Sequence, residues 1–147
     1  MCTFTSRKQL PVPRTVRGPW LARQFTRSVL CRRHADEVET GALLLVSELV
    51  TSAVGTATAR VEVAIDCWET AVVLSLRAAA GSDLLGHGEH ARLTEILLEQ
   101  LTMSWGVEET PAGGVVLWCM LPTTSQGPDA DLTGLLDDVC SRVWQDC

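Results

Sequence analysis

With 147 residues, 46% of them hydrophobic, the chain is long enough for a single domain with its own core. No apolar run reaches the length needed to cross a bilayer and no signal-peptide core follows the N-terminus, so a cytoplasmic protein with no membrane partner is expected. The net charge of −6 conceals an asymmetry: residues 1 to 35 carry eight basic residues and no acid, while all eighteen acids lie from Asp36 onward against four arginines. The basic section reads either as a leader and first helix folding back on the acidic body, or as a partner-binding arm.

Residues 1 to 15 contain Pro11 and Pro13 and no periodic apolar pattern, which predicts a flexible basic leader or one short strand. Gly18-Pro19 opens a helix over about 19 to 33, with proline favoured in the first turn and Leu21, Phe25 and Val29 along one face. Asp36, with Glu39 three residues on, forms a capping-box pattern for a second helix running to Val54 and ended by Gly55. In this helix Val46, Leu49, Val50 and Ala53 recur at the spacing of one face. Leu43, Leu44 and Leu45 widen the apolar surface, so the helix should be largely buried and its mid-point acid, Glu48, with it. Ser52, four residues on, projects from the same side.

Arg60 to Asp66 alternates as a half-buried strand, with Val61, Val63 and Ile65 inward and Glu62 and Asp66 outward. Trp68-Glu69-Thr70 turns the chain into a second strand, Ala71 to Arg77. Residues 78 to 90 form a glycine-containing loop, and a helix over about 91 to 104 should direct Leu93, Ile96, Leu97, Gln100 and Leu101 inward. A strand starts at Trp105, the segment 110 to 114 turns, and Val115 to Leu121 reads as a central strand covered on one or both sides. A polar linker at 123 to 128 leads to a last helix, capped by Asp129 or Asp131 and reaching about Trp144. Its stripe of Leu132, Leu135, Leu136, Val139 and Val143 must be buried, either on the chain's own sheet or against a second subunit or partner. The domain plan is a leader at 1–15, an α/β domain at 16–122, and a linker with an amphipathic helix at 123–147.

Six cysteines, at 2, 31, 67, 119, 140 and 147, form no Cys-x-x-Cys pair; Cys67 and Cys119 read as core residues in a reducing compartment. His87 and His90, with Glu89 between them, could touch a metal, but no third ligand stands at a credible spacing.

The run Glu48-Leu49-Val50-Thr51-Ser52-Ala53-Val54 resembles the first motif of the ATPase fold shared by histidine kinases, gyrase and Hsp90. More closely, residues 14 to 122 resemble the small anti-sigma-factor serine kinases of bacteria. The resemblance implies a two-layer α/β sandwich, a mixed sheet with helices on one face. It implies that Glu48 stands where a Glu polarises the attacking group, and that Ser52 stands where an Asn ligates magnesium. Serine offers one short hydroxyl in place of an amide carbonyl. Ala78 stands where an Asp accepts from adenine, and Arg92-Leu93-Thr94 where a Gly-x-Gly holds phosphates. Gly86-His87-Gly88 has those letters several residues earlier. Val115 to Leu121 offers no polar residue where the last strand has one.

These departures favour a protein-binding regulator with nucleotide binding lost or weak, so no cofactor is expected. The implied partner is a sigma factor, an anti-anti-sigma factor or a homologous regulator, in a homo- or heterodimer, with Arg23 and Arg27 of the first helix and the C-terminal stripe as contact residues. One alternative is an active serine kinase using ATP and magnesium, with Glu48 as base. Another is a DNA-binding regulator using residues 7 to 33. That segment has no helix-turn-helix and a single aromatic stacking residue in Trp20, so nucleic acid is not the expected partner.

Overall fold

The computed structural model describes residues 4–30, 32–56, 60–68 and 71–123. The turn expected at 69 and 70, the linker expected from 124 and the helix expected beyond it, with Leu132, Leu135, Leu136, Val139 and Val143, lie outside the described residues. So do Cys2, Cys31, Cys140 and Cys147.

The N-terminal segment is not a loose leader. Phe4–Val12 forms strand β1, paired along its length with β2, Val61–Trp68. Its sequence is polar because it is the sheet edge, and Pro11, which has no N–H to donate, is tolerated there. Helix α1, Gly18–Val29, begins with Gly18 and Pro19 as expected. Its contact line runs one residue round from the expected face: Gly18, Ala22 and Thr26 are buried, with Phe25 and Val29 at the margin. A side chain at Gly18 would bring a Cβ to 2.7 Å from the Pro13 carbonyl oxygen, so only glycine lets α1 lie this close to the end of β1.

Helix α2 runs Arg32–Thr56, starting four residues before Asp36, so the capping-box pattern lies inside the helix. Val38, Ala42, Leu45, Val46, Leu49, Val50 and Ala53 line one buried stripe, as the periodicity predicts. The opposite side is open: Leu44 is exposed, and the helix is not buried all round. The window Val38–Gly55 is nevertheless long and apolar enough on average to span a bilayer, contrary to the sequence expectation. Glu48 interrupts any continuous run but not the average, and here the stripe packs on the sheet.

Strand β3, Ala71–Ala78, follows β2. Helix α3, Gly88–Leu101, leads to β4, Ser104–Glu109, and β5, Val115–Pro122, returns through a turn closed by Thr110 and Gly114. The order is β1-β2-β3-β5-β4 and every pairing is antiparallel, not mixed as expected. The crossover through α3 does set β3 and β4 in the same direction. However, β5 inserts between them and pairs with both, so no parallel ladder forms.

Val63, Ile65, Val72, Leu74, Leu76, Leu117, Cys119 and Leu121 form one core with the buried stripes of the three described helices. The alternating residues of the other face are also shielded from solvent. Asp66, expected outward in water, is 1% exposed there and meets Arg7 twice, Nε to Oδ1 at 2.9 Å and an Nη donating to Oδ2 at 3.1 Å. In α3 the expected inner set is out of phase. Thr94 and Leu98 are buried, while Leu93 is 59% and Ile96 48% exposed and Gln100 faces solvent. Leu97 and Leu101 remain at the core edge.

Cys67 and Cys119 are both buried. Burial pushes the Cys119 thiol up to about 12, against the smaller opposing pull of a backbone hydrogen bond at Leu74. Its stabilising contribution is therefore complete below the ordinary thiol value of 9.0 and is lost as pH rises towards about 12. Brief alkylation at pH 9.0, the ordinary thiol value, is expected to leave Cys119 unmodified in the folded protein and to modify it after unfolding, read by peptide mapping. Equal modification in both states would contradict the packing.

Candidate functional site

The seam between the middle of α2 and the start of α3 carries the polar residues that the motif singles out. Glu48 and Ser52 sit one turn apart on α2, at the edge of its buried stripe. The chain leaves β3 at Ala78, turns at 79–82 with Ser82 N–H donating to the Ala79 carbonyl, and then doubles back across this seam. Leu84 anchors the crossing at 1% exposure within the core. Beside it the Ser52 hydroxyl donates to the Leu85 carbonyl oxygen at 3.0 Å. The side chain proposed as a metal-ligand substitute thus spends its donor on the chain's own backbone.

Asp83 shapes the next turn. One carboxylate oxygen accepts from Gly86 N–H at 3.1 Å and the other lies 2.9 Å from His87 Nε2. Gly86 and Gly88 both have φ of +75°, a conformation costly for residues with a Cβ, and together they aim the backbone into α3. The helix begins at Gly88, three residues before the expected start. Gly86-His87-Gly88 therefore stands immediately at its N-terminus, and Arg92 and Thr94 lie a turn inside. The alignment of Arg92-Leu93-Thr94 with a helix-opening phosphate loop is corrected accordingly: Arg92 is exposed, and buried Thr94 donates to the His90 carbonyl oxygen at 3.0 Å.

Glu48 is not buried as expected; its side chain is 37% exposed, so water shares in solvating the carboxylate. Its nearest ionisable neighbour is His90, whose Nε2 lies 4.0 Å from Oε2, too far for a hydrogen bond. That nitrogen is itself shielded and makes no hydrogen bond among the described residues. The two histidines diverge, His87 towards Asp83 and His90 towards Glu48. Among the described residues no group of three His, Cys, Asp or Glu side chains could close around a metal ion.

Ala78 is drawn into a different place. It pairs with Val115 and helps to line a cleft of about 500 Å³ with Arg60, Glu62, Arg77 and Gly114, beyond the end of β3. Glu48, Ser52 and Thr94 are not among the residues of that cleft. Arg23 and Arg27 both turn onto α2. Arg23 donates to the Ser47 hydroxyl at 2.8 Å, and the Arg27 Nε lies 3.4 Å from Glu39. These contacts hold α1 antiparallel against α2.

Sequence reasoning did not find the roles of Leu84, Leu85, Asp83 and His90. The available signal was the glycine pair at 86 and 88, which marks a constrained entry into a helix. A scan against protein-family models and a search of curated proteins gave no match to this chain.

Proposed function

We propose that the chain is a regulatory protein-binding module of the anti-sigma-factor kinase type whose nucleotide site is closed by its own 79–87 loop. The observation that carries this reading is the engagement of Ser52 with the Leu85 carbonyl beneath the buried Leu84. The hydroxyl in the metal-ligand position and the buried Thr94 are both satisfied within the chain, and Ala78 has no side-chain acceptor for a base. Opening the loop for a nucleotide would cost the burial of Leu84, about 1.5–3 kcal/mol, before any phosphate contact is made. The proposed partner is a sigma factor or an anti-anti-sigma protein. Exposed Leu93 and Ile96, one turn apart on α3, offer an apolar contact strip besides the outer edge of α1.

Calorimetry of the full chain with ATP and magnesium is expected to show no binding at micromolar concentrations. Magnesium-dependent micromolar binding would replace this reading. The partner half is tested by mixing the purified chain with the sigma factors and anti-anti-sigma proteins of its host. One of them should co-elute in gel filtration, and separate elution of all of them would refute a partner of this class.

A second reading, the active serine kinase, is favoured by the glycine pair at the start of α3, close to a partly open Glu48. It requires the loop to swing away and Glu48 to act as base. Glu48→Gln keeps the shape and removes that function. A phosphotransfer activity abolished by this change, with the fold intact, would establish it.

A further inference from the structure

The two edges of the sheet are built differently. β1 carries three features that discourage pairing with a further strand: a register shift between Phe4 and Ser6, Lys8, and Pro11, which has no N–H to give. β4, at the other edge, has none of them. It pairs with β5 in unbroken register from Ser104 to Glu109 and contains no lysine, arginine or proline. Its one glycine makes no bulge. The Trp118 indole lies over Gly106, where a Cβ would stand 3.1 Å from the ring. Among the described residues no strand lies beyond β4. Alternate backbone N–H and C=O groups therefore face outward along roughly 20 Å of edge.

The helix layer sets the charge that this edge presents. α1 rests on β1 and β2, α2 on the middle strands and α3 on β4. Within α3, Thr94 and Leu98 are buried and His90 turns towards Glu48 of α2. Glu95 and Glu99 follow the buried pair by one position. That step rotates them by about 100°, to the flank turned away from α2 and above the open edge. Both are exposed. Glu108 and Glu109 add two acids on the strand itself, and Arg92 is the one arginine, with no lysine, in the two elements. Val107 pairs with the core-face residue Leu117, so it stands on the helix side, yet it is 41% exposed. The edge combines open backbone, an apolar contact and an acidic margin.

We propose that β4 takes up an extended segment of another protein as a sixth strand of the sheet, a segment in which basic side chains alternate with apolar ones. Backbone pairing supplies the affinity. The alternate side chains, meeting Val107 and the acids at 95, 99 and 109, supply the selection. A second copy of this chain fits the edge less well. Its β4 brings the same acids, and like charges repel across a strand pair. Its basic β1 is blunted by the register shift and Pro11. The inference goes beyond the function proposed above and holds whichever protein supplies the segment.

The full chain is titrated with a synthetic peptide of alternating lysine and valine, and with a glutamate–valine peptide of the same length, while amide exchange is followed by NMR. Exchange is expected to slow at least about twofold at alternate amides of 104–109 with the lysine peptide and to stay unchanged with the glutamate peptide. Slowing along β1 instead, the same response to both peptides, or binding of neither would overturn the proposal. The double variant Glu95→Lys with Glu109→Lys changes two exposed residues. It is expected to keep the fold and to weaken the lysine peptide at least about tenfold. Unchanged affinity would overturn the proposal too. Outward amides of β4 that are already protected in the free chain, and indifferent to peptide, would show the edge to be taken. A second copy would hold it where protection falls on dilution, and the chain itself where protection does not; both results overturn the proposal.

Discussion

Arg7→Met is expected to lower the folding free energy by about 3–5 kcal/mol, a large fraction of the stability of a typical domain. The reason is the environment of Asp66. It sits on β2 at 1% exposure, and the Arg7 side chain that meets it at two points is only 13% exposed, so bulk water screens the pair little. Removing the guanidinium withdraws the charge partner that edge strand β1 supplies and leaves the carboxylate inside the sheet layer. An exposed ion pair would be worth only about 0–1 kcal/mol, so the size of the loss discriminates. Denaturant unfolding of Arg7→Met, Asp66→Asn and the double variant gives the coupling directly. The double variant should recover part of the loss, because the buried carboxylate charge is gone. A single-variant loss below about 1 kcal/mol would mean that the pair is solvated and that β1 is held by its backbone ladder alone.

Leu84→Ala should cost about 2–5 kcal/mol, a large effect for a residue in a loop. Leu84 is among the largest fully buried side chains, and its core contacts fasten the 79–87 crossing to α2 beside the Ser52 hydrogen bond. The cavity can partly collapse because a loop backbone adjusts more readily than a strand, which favours the lower half of that range. Hydrogen exchange should quicken in 82–87 well beyond its change in α2 or β5. Loosening this crossing is not expected to create micromolar affinity for ATP with magnesium, because Ser52 offers one short hydroxyl in place of an amide carbonyl and Ala78 has no acceptor side chain. A Leu84→Ala protein that did acquire it would show that closure by the loop alone, not loss of ligands, separates this chain from an active kinase.

Some of this architecture is plain in the residues themselves. The stripe of Val46, Leu49, Val50 and Ala53 identifies α2, and the alternation of Val61, Val63 and Ile65 identifies the core face of β2. In both, the local period matches a single buried face, so no knowledge of neighbours is needed. Glu48 and Ser52 are legible as a pair for the same reason, since their spacing alone brings them to one side of a helix. The all-apolar run of β5 likewise announces a strand covered on its core face.

What the neighbours decide cannot be read from any window of the chain. Polar β1 is a strand because β2 offers it an unpaired edge and because Arg7 finds Asp66, 59 residues away. Asp66 is therefore inside the sheet layer, although alternation alone assigns it to water. In α3 the choice of Thr94 over Leu93 as an inward residue follows from how α3 rests on α2. The early start of that helix follows from two glycines whose positive φ the loop crossing demands. The state of the candidate site was decided in the same way. The residue types at 48 and 52 are written in the sequence, but the closing of the seam by Leu84 and Leu85 depends on a contact 33 residues apart. Local spacing determines which side chains share a face; what that face meets is a property of the assembled layers, where burial and pairing are set between segments distant in the chain.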